Sequence, residues 1–124
     1  SGNLHADKLD PIDIKNAMSI MTMFARTYSL KHDIRLTHTL ERLECLKEQQ
    51  IISIDTYSEF KYVYNYLFKL RFKNQLEALN NHVPIHNFLH LKNHTESELI
   101  LIRRLLQVIP LLQNKIATVF RIKF

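Results

Sequence analysis

Glycine is almost missing from this chain: Gly2 is the sole example in 124 residues. All-β domains and phosphate-cradling loops draw on glycine for backbone angles that other residues resist. Its absence excludes a glycine-rich nucleotide loop and favours helices. Cysteine is as scarce. Cys45 stands alone, so no internal disulfide can form, and a reducing, cytoplasmic setting is expected. A lone cysteine within a helical pattern reads as a small core or flank residue, not a nucleophile. No segment approaches the roughly 18 uninterrupted apolar residues of a membrane span, and no signal peptide is visible. Also lacking is the carboxylate pattern of metal-dependent nucleotidyl transfer, for no Asp-x-Asp occurs. Glu96 and Glu98 come nearest, but two residues apart on a helix they point about 200° apart. No Ser-His-Asp or Cys-His pattern stands out. By this reading the chain holds no complete catalytic site and no metal site.

What is present suffices for one domain. Hydrophobic residues make up 46%, including seven Phe and five Tyr, so a real core is available. Charged residues are 23%, an ordinary share for a globular domain. The net charge of +5 permits an anionic partner. Most of the 17 Lys and Arg residues read as solvated surface, and no concentrated basic stripe or helix-turn-helix signature supports nucleic-acid binding.

The apolar spacing predicts an all-α, up-and-down bundle of four main helices, with room for one short extra helix in residues 85–93. Residues 1–10 form a polar, flexible N-terminal segment whose Ser1-Gly2 reads as an expression scar; residues 11–124 form the domain. Asp10-Pro11 suits a helix start. The first helix should end near Leu30, with Ala17, Ile20, Met21, Phe24 and Tyr28 inward. A second should run from about Thr37–Thr39 to Gln49, with Leu36, Leu40, Leu43 and Leu46 as its apolar positions. Ser53 should cap a third helix from Ile54 to about Asn80. Thr95-x-x-Glu98 is a capping box before a fourth, whose seam is Ile102, Leu105, Ile109, Leu112, Ile116 and Val119 and whose Pro110 should kink it. His82, His86, His90 and His94 recur every four residues, which on an unbroken helix would suit zinc or nickel. Pro84 and the asparagines around it argue instead for solvated loop histidines.

Three groups of polar residues stand out. On the first helix Lys15, Ser19, Thr22 and Arg26 form a narrow stripe opposite the core face. On the third, Tyr57, Phe60, Tyr64, Leu67, Phe68 and Leu79 share a broad apolar face from which Arg71 and Gln75 also project. An arginine there must find a partner, because an unpaired buried charge is costly. Either it pairs structurally with a carboxylate such as Asp13 or Glu41, or it lines a cleft and receives an anion. On the second helix Thr39 and Arg42 are surface neighbours.

At these residues the chain resembles a known family. The ordered set Pro11-Ile12-Asp13-Ile14-Lys15, Ala25-Arg26-Thr27-Tyr28-Ser29-Leu30, Thr39-Leu40-Glu41-Arg42-Leu43 and Leu70-Arg71-Phe72-Lys73-Asn74-Gln75-Leu76 is similar to the putative nucleotidyltransferase substrate-binding domain family. It departs from that pattern at His38 and Asn74, where the family usually has Asn and often has His. The resemblance spans roughly residues 10–124. It implies a non-catalytic helical domain beside an upstream nucleotidyltransferase domain of the same polypeptide, similar to that of PII uridylyltransferases. Such bacterial signal-transduction proteins often carry CBS or cyclic-nucleotide-binding domains as well. It further implies that Lys15, Arg26, Thr39, Arg42, Arg71 and Gln75 meet substrate or anion, while magnesium and nucleoside triphosphate serve the parent enzyme. The competing reading is a helical dimerisation or interdomain module with no ligand.

Overall fold

The computed structural model describes residues 12–89 and 94–120. Four helices carry the fold: α1 (Ile14–Lys31), α2 (Thr39–Glu48), α3 (Ile54–Asn80) and α4 (Glu96–Phe120). The one ladder among the described residues joins two-residue strands, β1 (Ile12–Asp13) and β2 (Phe88–Leu89), antiparallel, with Ile12 opposite Leu89 and Asp13 opposite Phe88. The molecule is thus an all-α bundle, and α1 packs on all three other helices.

The central place of α1 follows from its sequence. Ile14, Ala17, Met18, Ile20, Met21, Phe24 and Ala25 are buried, and so are Thr27 and Ser29. An apolar arc this wide cannot be covered by a single neighbour. Around it lie Leu43 and Leu46 of α2, Phe60, Val63, Leu67 and Leu70 of α3, and Ile102, Leu105, Val108, Leu112 and Ile116 of α4. Val108 takes the core position expected for Ile109, which packs at the edge. Phe68 and Leu79, expected on the inward face of α3, are exposed; Val63 and Leu70 are buried in their stead.

Three of the four helix starts, those of α1, α3 and α4, are set by side chains. Asp13 caps α1 by accepting from the Asn16 amide at 3.0 Å; the expected Asp10-Pro11 start lies outside the described residues, as does the segment 1–10. Ser53 caps α3 by accepting from the Thr56 amide at 3.0 Å. The capping box of α4 closes as expected. The Glu98 amide donates to Thr95 Oγ1 at 3.2 Å, and the Thr95 amide and hydroxyl donate back to Glu98 Oε1 at 3.3 and 3.0 Å. His94 adds a 2.8 Å contact from Nδ1 to Glu98 Oε2, with its side chain only 10% exposed. It is therefore not the solvated loop histidine the sequence suggested. Pro110 lies on the exposed side of α4, which continues through it.

Helix ends are made without glycine. Asp33, Gln50 and His82 adopt φ of 58°, 60° and 52° just after α1, α2 and α3. In each case the next amide reaches back over the last turn: Ile34 to the Ser29 carbonyl (2.8 Å), Ile51 to Leu46 (2.9 Å), Val83 to Ala78 (3.0 Å). The left-handed residue's own amide bonds Leu30, Lys47 and Leu79 respectively. These are three Schellman closures.

The short helix expected within 85–93 is not seen among its described residues. Residues 83–87 have no regular structure and β2 follows. Pro84 offers no amide, and the Asn87 carbonyl is already committed, accepting from the Ile14 amide at 2.7 Å. This stretch thus closes the N-terminal end of α1, and His82 and His86 share no helical face; His90 lies outside the described residues.

Candidate functional site

A ring ladder leads from the core to the surface. Tyr28 packs on Phe24 (4.6 Å between centroids), Phe24 on Phe60 (5.9 Å) and Phe60 on Tyr64 (6.0 Å). Tyr64 then forms one wall of a cavity of about 330 Å³ between α1 and α3. Its lining from α1 is Lys15, Met18, Ser19, Thr22, Met23 and Arg26; from α3 come Tyr64, Phe68 and Arg71. The polar stripe of α1 and the anomalous arginine of α3, separate features in the sequence, therefore face one space.

The charge balance of this cavity is one-sided. Three cations line it, and no Asp or Glu does. Arg71 is half-buried, and its Nε is out of solvent with no hydrogen-bond partner among the described residues. Neither suggested carboxylate meets it: Asp13 is spent on capping α1, and Glu41 lies exposed on α2. A guanidinium N–H held away from water without an acceptor is unfavourable by about 1–3 kcal/mol. An incoming oxyanion would remove that penalty. The side chains of Tyr64, Phe68, Met18 and Met23 supply apolar contact beside the charges. Ser19 and Thr22 supply hydroxyls.

The other expected residues lie elsewhere. Thr39 does not line the cavity but sits behind it, its hydroxyl donating to Thr22 Oγ1 at 3.5 Å, at the long limit for such a bond. Arg42 donates from Nε to the Leu36 carbonyl at 2.6 Å, pinning the connection between α1 and α2. Gln75, one turn beyond Arg71, lines a second cavity of about 460 Å³ with Ala78, Leu79, His82, Val83 and Ile85. Met18, Met23, Tyr64 and Phe68 were not singled out as site residues. The available signal was their position: Met18 and Met23 lie one turn from Lys15 and Arg26, and Phe68 and Tyr64 one and two turns before Arg71 on the same helices.

Two tyrosines lie deeper. Burial raises the Tyr28 hydroxyl above its ordinary value. Burial, and then the charge of Glu98, push Tyr66 up to about 12. Hydrogen bonds from His94 and Thr95 hold Glu98 down at about 2. None of these groups lines the three-cation cavity. Among the described residues no group of three metal-ligating side chains is assembled, and no helix is long and apolar enough to cross a membrane.

Comparison with known proteins identifies a family. A family model described as "Putative nucleotidyltransferase substrate binding domain" matches residues 3–120. No curated protein and no solved structure matches the chain.

Proposed function

The chain belongs to this nucleotidyltransferase substrate-binding domain family, and from that premise we propose that the cavity between α1 and α3 holds an anionic group of the substrate or nucleotide. In this reading the domain is non-catalytic alone. It positions its ligand beside a catalytic domain upstream in the same polypeptide, in a cytoplasmic signal-transduction protein of bacterial type. The observation that carries the proposal is the meeting of Lys15, Arg26 and Arg71 around one space with no carboxylate among its lining residues.

Each cation has a distinct part. Arg71 presents a planar fork suited to two oxygens of one phosphate or carboxylate. Lys15 and Arg26 stand eleven residues apart on α1, about 16 Å along the helix. They can therefore meet different parts of an extended ligand, or one of them can face the neighbouring domain. Thr39 and Arg42 are positioning residues, fixing Thr22 and the α1–α2 connection. Gln75 belongs to the second cavity and has no part in this one. The lining's side-chain oxygens are the three hydroxyls of Ser19, Thr22 and Tyr64, with no carboxylate, so the magnesium expected for the parent enzyme does not fit here.

The test uses inorganic pyrophosphate and nucleoside triphosphates, titrated by calorimetry or amide chemical shifts. Binding should weaken with salt, as expected for exposed cations, and at least about tenfold on Arg71→Met, the loss of one charged hydrogen bond. Shifts should map to the facing sides of α1 and α3. Binding that ignores Arg71→Met, Arg26→Met and Lys15→Met alike would remove the proposal.

A further inference from the structure

The outward face of α3 changes character halfway along the helix. Apart from Ile54 at its first residue, the first half of that face carries the exposed polar side chains Ser58, Lys61 and Asn65. From Phe68 onward it is apolar and still exposed: Phe68 58%, Phe72 57%, Leu76 45%, Leu79 72%, then Val83 52% just past the helix end. Ile85, which shares a cavity lining with Leu79 and Val83, extends the patch. At 100° per residue, Phe68, Phe72, Leu76 and Leu79 fall within about 80° of arc.

We propose that this face pairs with the same face of a second copy of the chain, α3 against α3, antiparallel about a two-fold axis near Leu76. Three features favour that occupant. The patch offers about 600 Å² of exposed apolar side chain, at the upper limit for a monomer's largest patch and near the roughly 800 Å² per partner of a stable interface. Its spacing is nearly symmetric: steps of four and four lead to Leu76, and steps of three and four leave it. Turning a second copy about Leu76 sets Phe72 against the partner's Leu79 and Phe68 against the partner's Val83. Aromatic rings then meet smaller aliphatic side chains, the large-against-small arrangement that packs without voids. The third feature is charge. Lys73 and Glu77 flank the seam on one side, and both are exposed. Antiparallel pairing brings Lys73 of each copy beside the partner's Glu77, making two rim ion pairs. Such pairs add little affinity but set orientation.

This inference does not rest on the anion cavity; the two meet only at Phe68, which lines that cavity on its inner edge. The test is sedimentation equilibrium of the chain from about 1 to about 200 μM, a range that brackets a micromolar dissociation constant. Expected is a species of twice the 14.8 kDa chain mass. Leu79→Glu, at the most exposed position of the seam, should give a monomer of unchanged circular dichroism. Lys73→Glu should weaken pairing, and Lys73→Glu combined with Glu77→Lys should restore it. In a Cys45→Ser background, Leu76→Cys should oxidise to a disulfide-linked dimer and Phe68→Cys should not. A monomer throughout the range overturns the proposal and leaves the patch to a different protein surface. A dimer indifferent to Leu79→Glu overturns it as well, as does one that cross-links through Phe68→Cys as readily as through Leu76→Cys.

Discussion

Arg71 concentrates the functional argument in one side chain. It projects from a helix otherwise anchored by Phe60, Val63, Leu67 and Leu70, and its Nε lacks a partner among the described residues. Removing an unpaired cation strands nothing. Arg71→Met should therefore leave thermal stability unchanged or raise it by up to about 1 kcal/mol while ligand binding is lost, the trade expected where a site stores unfavourable charge. A cost of several kcal/mol in urea denaturation would instead mark a structural ion pair. Glu98 makes the opposite case. Its folded value, about 2, lies below the ordinary 4.5, because His94 and Thr95 hydrogen-bond the carboxylate. A depressed carboxylate contributes stability that is complete above the unfolded value and fades as pH falls through the folded one. Glu98→Gln should thus lower the melting temperature at pH 7, and its deficit should shrink between about pH 4.5 and pH 2. A deficit constant across that range would show that the charge is not what the box uses. The sequence announced both residues, and for different reasons. The capping box is local, its two members three residues apart. Arg71 was visible as an anomaly, but its surroundings depend on where α1 lies, which no local pattern records.

At the scale of elements, the helix spans were legible because each has an apolar period, and α3 and α4 have a capping signal besides. What the sequence hid was long-range pairing: β1 with β2 joins residues more than seventy positions apart through two-residue strands too short to show alternation. Helix ends were hidden for another reason. With no glycine available, Asp33, Gln50 and His82 take left-handed backbone at about 1 kcal/mol each. Gln50→Gly should therefore stabilise the chain by about 0.5–1 kcal/mol in chemical denaturation, strain relief outweighing the looser unfolded chain. The start of α2 offers a second gain. His38 occupies its N-cap with extended backbone and no side-chain capping bond. His38→Asn supplies a short acceptor for the orphan amides of the first turn and should add about 0.5–1 kcal/mol. No gain at either position would mean that α2 frays independently of the fold.

For the whole molecule, the bundle was legible from composition, yet the cavity was legible only by halves. The α1 stripe and Arg71 each stood out, but their meeting is a property of helix packing. Thr39, Arg42 and Gln75 shared the same sequence cues and were dispersed by that packing, to a strut, a loop anchor and a second cavity. The central position of α1 has a consequence for how the molecule opens. A helix in contact with all three others cannot separate from one without disturbing the rest. Its middle amides, around Met21 to Ala25, should exchange with deuterium only through global unfolding, with a denaturant dependence equal to that of the whole chain. In the unpaired chain, the last turn of α3, ending at Asn80 with Leu79 exposed, should exchange through smaller openings that denaturant barely affects. The unpaired chain would then breathe at its apolar patch while the helix bearing Lys15 and Arg26 stays closed, so that one wall of the cavity is the last part of the protein to come undone.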